Sequence, residues 1–270
     1  GLMYNLNVGL GQGGWDFYSF GGYNAKKGNA AGFYRYPSSV ATGATVYADE
    51  VFDLYPNGFL PEINSTVQDI AANAGLRGRW GTWNLDLSNT FGRNQFDFDI
   101  TNSVNYTQAA ESPANLQTEF DAGGLSFLQN TSNLDFSRRI PAVLSGLNVA
   151  FGAEFRIDGF GIRAGEEASW KNYDVPSNAL AGAQVFSGFL PANEGDHTRN
   201  CIGIYADLEQ DLTEDLLVGA ALRFENYSDF GSTFNWKGVA RYKIRDVLTL
   251  RASASTGFRA PSIMDIQNPT

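Results

Sequence analysis

Apolar and polar residues alternate with a period of two along much of this chain, and this pattern constrains its fold more than any other feature. Between Leu216 and Tyr227, the positions of Leu222 and Phe224 belong to an apolar set, while those of Arg223 and Glu225 belong to a polar one. Successive side chains of a β-strand point to opposite faces, so the pattern predicts strands with one apolar and one polar face. The same alternation occurs in four further segments: 147–158, 200–211, 234–243 and 247–259.

The face content and the absence of long apolar runs indicate a membrane β-barrel. The polar faces mix Arg and Glu with Gly and Ser, as a water-filled lumen would, and the apolar faces end in aromatics such as Phe234, Trp236 and Tyr242. No apolar run reaches the roughly 18 residues of a spanning helix. Aromatic residues make up 14% of the chain and there are 30 glycines, which suits strands separated by turns.

We therefore predict an all-β fold: an antiparallel transmembrane β-barrel segment of about ten strands in a meander, occupying residues 1–270 as a single domain. Long extracellular loops should alternate with short periplasmic turns. The predicted strands are 2–10, 14–26, 66–79, 83–104, 119–138, 147–172, 199–212, 215–228, 231–244 and 247–259.

Two of these strands are unusually long, and the apolar face changes phase within each. In the first, the apolar residues Leu85, Leu87 and Phe91 stand at odd-numbered positions, whereas Phe96 and Phe98 stand at even-numbered ones. We predict β-bulges at 92–94 and at 158–159, because a bulge inserts one residue and reverses the alternation. The alternative reads both sites as hairpin turns, which gives twelve strands in place of ten and breaks the alternation of loop lengths.

Charge and residue counts argue against several function classes. The net charge of −10 and pI near 4.6 disfavour nucleic-acid binding, which needs a basic face. A single cysteine, Cys201, permits no intrachain disulfide, and a single histidine, His197, leaves little for acid–base catalysis. We expect neither an enzyme nor a metal site nor a cofactor. The stretch 9–14 is glycine-rich, but no helical pattern follows it, so we read it as a turn rather than a phosphate loop.

The C-terminal part resembles the barrel of TonB-dependent receptors. The residues concerned are Phe224-Glu225-Asn226-Tyr227-Ser228-Asp229-Phe230-Gly231 and Ser255-Thr256-Gly257-Phe258-Arg259-Ala260-Pro261-Ser262. They are similar to the family patterns R-Y-x-x-Y-S-D-F-G and S-x-G-F-R-A-P-S. Weaker, collinear matches lie at 148–156, 165–166 and 58–62.

The resemblance implies energised uptake of a scarce small-molecule ligand (a siderophore, cobalamin or carbohydrate) across the bacterial outer membrane. The implied partners are outer-membrane lipid, a plug domain and TonB. Such barrels have about 22 strands, so the chain reads as the first half of one, without plug, TonB box or final strand. We expect it not to transport alone, because open sheet edges are costly in lipid. A passive porin and a soluble carbohydrate-binding β-protein remain open alternatives.

Two residue sets are the functional candidates. In the loop 27–65 we expect Tyr34, Arg35, Tyr36 and Tyr55 to contact ligand, because aromatic faces with a polar edge suit flat or sugar-like molecules. These aromatics could instead pack the loop on itself or lie in the interfacial girdle. The family resemblance implies that lumen charges face a plug: Glu154, Arg156, Arg223, Glu225, Arg251 and Arg259. They could also be purely structural ladders.

Overall fold

The chain forms one ten-stranded antiparallel sheet in which every strand pairs with its neighbours in sequence. This computed structural model describes residues 1–36, 48–176, 180–245 and 247–263. The strands are β1 (Leu2–Gly9), β2 (Asp16–Ala31), β3 (Glu62–Trp80), β4 (Trp83–Thr101), β5 (Phe120–Ile140), β6 (Leu147–Arg163), β7 (Gly195–Asp211), β8 (Leu216–Tyr227), β9 (Gly231–Ile244) and β10 (Leu248–Ser255). The predicted ten-strand meander is confirmed.

Among the residues that the structure describes, helical structure is confined to short pieces in the connections. The α-helices there are α1 (Ala48–Leu54) and α2 (Glu167–Trp170), and single 3-10 turns occupy Gly11–Gly13, Tyr106–Ala110 and Pro191–Asn193. None of the helices in the described ranges has the length and apolar character to cross a bilayer. The glycine-rich stretch 9–14 forms the turn between β1 and β2, as predicted.

The exposure of the two sheet faces is the reverse of that in a soluble protein. Ile202 and Ile204 on β7 are 57% and 54% exposed, whereas Arg199 on the same strand is only 4% exposed. On β8, Glu225 is 7% exposed beside the exposed Phe224. Charged side chains are ordinarily the exposed ones. The aliphatic face therefore fits lipid, and the covered polar face fits the lumen of a barrel.

The predicted bulges at 92–94 and 158–159 are wrong, although both segments are single strands as expected. The pairing of β4 with β5 runs without a break past Gly92, and the pairing of β6 with β7 runs past Gly159. The irregularity of the β4–β5 pairing lies nearer the long loops, where Ala122 and Gly123 of β5 oppose the single residue Phe98 of β4. Gly123 has the left-handed φ of 91°.

The change of phase has a different cause, which is a change of surroundings along an unbroken strand. Leu87 and Phe91 share the outer face with Arg93, and Gly92 shares the inner face with Phe96 and Phe98. Below this level the outer face meets lipid. Above it the outer face turns polar, while Phe98 packs inward against Phe186 and Phe189 of a loop. Apolar side chains change sides because lipid is outside and packed protein is inside.

Strand ends at the long-loop side differ most from the prediction. The pairing of β2 with β3 continues to Ala31 and Glu62, beyond the predicted 26 and 66, and β7 begins already at Gly195. Conversely β6 stops at Arg163, and residues 164–172 form a loop containing α2. Near these ends one face carries polar residues, Asn29, Asn64 and Thr101, and the positions between them on β2 are the small residues Gly28 and Ala30, so the alternation that marks a strand is weak.

Three long loops lie at one end of the sheet and short turns at the other. We call the long connections outer loop 1 (32–61), outer loop 2 (102–119) and outer loop 3 (164–194). They contain two small hydrophobic cores, one around Val51, Phe59 and Tyr106, the other around Ile100 and Phe120. The β8–β9 connection on this side is short, as predicted. The predicted turn 244–246 ends on Asp246, which lies outside the described residues.

Candidate functional site

The predicted ligand set divides into two exposed tyrosines, Tyr34 and Tyr36, the partly buried Arg35 between them, and the packed Tyr55. Arg35 pairs with Phe59 through two backbone hydrogen bonds of 2.7 and 2.9 Å, which holds the segment in an extended conformation. Tyr34 and Tyr36 meet edge to face with ring centroids 5.1 Å apart, and Tyr34 donates a 2.7 Å hydrogen bond to the Asn57 carbonyl. Tyr36 is 64% exposed.

Arg35 lies between the two tyrosines in sequence, and its partly buried side chain has no charge partner in the described part of the chain. Its guanidinium donates a hydrogen bond to the Phe33 carbonyl at 3.0 Å and forms no salt bridge with any described carboxylate. The two tyrosine rings thus form an accessible surface able to stack on a flat ligand, and Arg35 is a neighbouring cation able to pair with an anionic or hydroxylated one. Tyr47, which belongs to the same loop, lies outside the described residues.

Tyr55 belongs to the interior of the loops. Its ring stacks on Phe59 with centroids 4.6 Å apart, and its hydroxyl donates to the Ser103 carbonyl at 3.2 Å. Burial raises the pKa of Tyr55 above its ordinary value. For this residue the structure fits the alternative in which loop aromatics pack on each other.

Four of the six predicted lumen charges form one network with Asp158. We call these five residues the charge ladder: Glu154, Arg156, Asp158, Arg223 and Glu225. Arg223 contacts Glu225 at 2.8 Å and Glu154 at 3.2 Å. Arg156 contacts Asp158 at 3.3 Å and Glu154 at 3.5 Å. Glu154 is thus shared by two arginines, and the charges largely neutralise one another along the wall.

A glycine makes the ladder geometrically possible. Gly203 of β7 lies between Glu154 of β6 and Glu225 of β8 in the register of the sheet. A side chain there would place its Cβ 3.1 Å from Nη2 of Arg223. Because Gly203 has none, the Arg223 guanidinium can reach from β8 across β7 and contact Glu154 on β6.

Residues 256–263, here called the strap, fold back over the same inner wall. Arg199 donates from Nη1 to the Pro261 carbonyl at 2.8 Å and from Nε to Asp229 at 2.7 Å. Phe258 lies 5.5 Å from the ring of Phe230, and Ile263 is buried. A cavity of about 850 Å³ separates strap and ladder.

The two remaining lumen charges lie at different heights of the wall. Arg259, on the strap, lines the cavity together with Arg156 and Arg223 and so joins the predicted group. Arg251 also lies on the inner face by register, because its partner Arg241 pairs with Leu217, on the same face of β8 as Arg223, but it lies nearer the short turns and away from the ladder. The sequence reasoning also missed Arg199 and Asp229 as partners, although Asp229 stands in the Tyr227–Gly231 motif.

The described residues show no arrangement suited to metal binding. Their His, Cys, Asp and Glu side chains nowhere form a group of three or more that could hold an ion. Cys201 is buried on the inner face of β7, with its neighbours Arg156 and Tyr227 on the adjacent strands.

Comparison with known proteins places the chain among outer-membrane receptors. A family model described as "TonB dependent receptor-like, beta-barrel" matches residues 6–270. A curated relative, the vitamin B12 transporter BtuB of Vibrio vulnificus (strain CMCP6), is 28% identical over 108 residues, which is 40% of this chain and 17% of that protein. The matched family is one of receptors and transporters, not of enzymes.

Solved structures share the fold. The siderophore receptor PirA from Pseudomonas aeruginosa matches with a TM-score of 0.51 at 11% identity, covering 97% of this chain and 40% of that one. PirA from Acinetobacter baumannii gives 0.52 at 12% identity, covering 96% and 40%. A mutant form of the ferric enterobactin receptor PfeA from P. aeruginosa matches with a TM-score of 0.50 at 11% identity. The match covers 99% of this chain and 44% of that one. The chain thus spans less than half of each of these receptors.

Proposed function

The chain belongs to the TonB-dependent receptor-like β-barrel family, lies in the bacterial outer membrane, and from that premise we propose that it forms part of the wall of a receptor for nutrient uptake. The observation that carries this proposal is the two-faced sheet, with exposed aliphatic side chains outside and the covered charge ladder inside. The wall encloses a polar passage, and the outer loops offer an accessible aromatic and cationic surface above it.

We propose a siderophore, cobalamin or carbohydrate as the ligand and energisation through TonB. The similar proteins support this choice, since they include a vitamin B12 transporter and siderophore receptors. The surface of Tyr34, Arg35 and Tyr36 supports it chemically, since rings and a guanidinium suit both catecholate siderophores and sugars.

Uptake measurements in cells test this function. Deletion of the gene should abolish uptake of one of three labelled probes at nanomolar concentration: vitamin B12, ferric enterobactin or a maltooligosaccharide. Uptake should also stop in a strain lacking TonB. Uptake that survives loss of TonB and rises linearly with concentration would instead show a passive porin.

We further propose that the inner face of β6–β9 contacts a plug domain, with the charge ladder and Arg259 towards it. The ladder pairs are partly exposed, so each contributes only modestly, about 1 kcal/mol or less, and could exchange partners during transport. A photo-crosslinking residue at Lys237, on the inner face of β9, should then label the plug, whereas one at the adjacent outward-facing Trp236 should label none. Equal labelling from both positions would contradict this docking.

A further inference from the structure

The described parts of the three outer loops (32–36, 48–61, 102–119, 164–176 and 180–194) are bound to one another as a single folded unit, which we call the cap. The middle loop joins the other two. Val104 and Tyr106 of outer loop 2 pack against Val51 and Phe59 of outer loop 1. On its other side, the Ser103 hydroxyl of outer loop 2 donates to the Gln184 carbonyl of outer loop 3 at 2.9 Å.

One side chain, Asn105, holds the junction between outer loops 2 and 3. It is completely buried. Its Nδ2 donates to the carbonyls of Ala168 and Lys171, both at 2.9 Å. Its Oδ1 accepts from the amide of Thr107 at 3.2 Å and from the Thr107 hydroxyl at 2.8 Å.

These contacts use both donors of the amide and both acceptor positions of its oxygen. The two carbonyls that Asn105 satisfies lie at the end of α2, where a helix leaves carbonyls without partners in its own ladder. Thr107 then extends the junction, since its hydroxyl accepts from the Tyr173 amide at 3.1 Å. No other residue type of this size offers two donors and an acceptor in one planar group.

We propose that Asn105 is a positioning residue: it fixes outer loop 3 to outer loops 1 and 2, so that the cap moves as one body and presents Tyr34, Arg35 and Tyr36 in a fixed geometry. The part concerning ligand rests on the proposed function, whereas the part concerning the cap does not. Closure over a ligand would then require displacement of the whole cap, or movement at the β7–β10 side, rather than independent motion of single loops.

Hydrogen exchange of the protein, expressed from its native gene and purified in detergent, tests the cap. In Asn105→Ala, amides of 164–176 and 180–194 should exchange at least tenfold faster, while the β3–β4 pairing between 66 and 92 keeps its protection. Asn105→Asp preserves the shape but loses both donors, so it should behave like the alanine variant. Asn115→Ala, an exposed asparagine in the same loop, is the matched control and should exchange like the wild type.

Three results of this experiment would overturn the proposal. Unchanged exchange in Asn105→Ala would show that the loops hold together without this amide. Full protection in Asn105→Asp would show that shape, not hydrogen bonding, matters. Loss of protection throughout β3–β6 would make Asn105 a determinant of the barrel fold rather than of the cap.

A binding measurement on the same variants separates this inference from the proposed function. Vitamin B12, ferric enterobactin and a maltooligosaccharide are titrated against the wild type, and a probe that binds should bind at least tenfold more weakly to Asn105→Ala but normally to Asn115→Ala. Normal binding by a variant whose cap has loosened would refute the positioning role. If the wild type binds none of the probes, the proposed ligand classes fail, and the exchange result still decides whether Asn105 joins the loops.

Discussion

At the scale of single residues, exposure distinguishes the tyrosines of the candidate ligand surface from the packed Tyr55. Tyr34 and Tyr36 are exposed and meet edge to face, while Tyr55, which has the same chemistry and lies in the same loop, is held by Phe59 and Ser103. Sequence reasoning placed all three in one set because loop composition reports residue type but not depth. Only the backbone pairing of Arg35 with Phe59 shows which ring turns outward.

Replacing Tyr34, Arg35 and Tyr36 together by alanine should weaken ligand binding about tenfold or more, since loss of stacking and charge at a binding centre costs upwards of about 1.4 kcal/mol. The change should be measured by titrating the purified receptor with whichever probe it takes up. Phe52→Ala, which removes another exposed aromatic of outer loop 1, serves as the control and should bind normally. Unchanged affinity in the triple variant would remove this surface from the ligand site.

Residue charges also predict a pH response near the top of β5. Burial on its own would raise the pKa of Asp121, but hydrogen bonds from Arg163 and from the Gly123 amide outweigh it and lower that pKa below 3.8. A depressed carboxyl pKa stabilises the folded state above the unfolded pKa, and the contribution is lost as pH falls through the folded value. Exchange of cap amides around Asp121 should therefore accelerate below about pH 4.

Asp121→Asn is the control for this response, because it cannot titrate. After correction for intrinsic exchange, its amides should show no acceleration below about pH 4, and they should exchange faster than those of the wild type at pH 6. The pKa of the neighbouring Asp99 is raised, first by burial and then by the charges of Asp121 and Asp97. Protonation of Asp99 therefore favours the folded state, which is opposite to the effect of protonating Asp121. An identical pH profile in the wild type and Asp121→Asn would exclude the Arg163 contact as the cause.

At the scale of elements, β4 shows why a change of phase need not be a bulge. Leu87 and Gln95 lie on the same outer face of one continuous strand, eight positions apart. The sequence contains the change from apolar to polar on that face, but not its cause, because a bulge and a change of surroundings produce the same pattern. The pairing of neighbouring strands, which depends on residues far away in sequence, decides between them.

Arginine substitutions at these two heights measure where lipid ends. Leu87→Arg should destabilise the folded barrel by about 2–4 kcal/mol, as expected for a charge in the hydrocarbon region, whereas Gln95→Arg should cost less than about 1 kcal/mol. Urea unfolding in lipid vesicles, followed by tryptophan fluorescence, gives both values. Equal costs at the two positions would contradict the assignment of the upper outer face to water.

At the scale of the whole molecule, the sequence predicts the repeating features well and the singular ones poorly. Strand number, antiparallel meander and the two faces of β7 and β8 follow from local alternation, which each strand carries in itself. The Asn105 junction and the Arg199 contact to Pro261 join residues more than 60 positions apart and leave no periodic trace. The upper parts of β2 and β3 were missed for a related reason, since their outer face is polar there and β2 offers only the small residues Gly28 and Ala30 on the other face.

The sheet edges support the proposal that this wall is completed by further strands. In the described part of the chain, β1 pairs only with β2 and β10 only with β9. Both edge strands are exposed along their whole length. Unpaired backbone groups cost several kcal/mol each in hydrocarbon, so such edges require partners in a membrane.

The orientation of the sheet between lipid and lumen is the central claim, and nitroxide scanning of β7 tests it most directly. Single labels at 202 through 208 would be placed in the protein in outer-membrane vesicles, with Cys201 first replaced by serine, and collision rates measured with oxygen and with a water-soluble nickel complex. We predict that labels at Ile202, Ile204, Ala206 and Leu208 collide mainly with oxygen, and that those at Gly203, Tyr205 and Asp207 collide mainly with nickel. Collision rates without a period of two, or with the odd positions in lipid, would contradict the account.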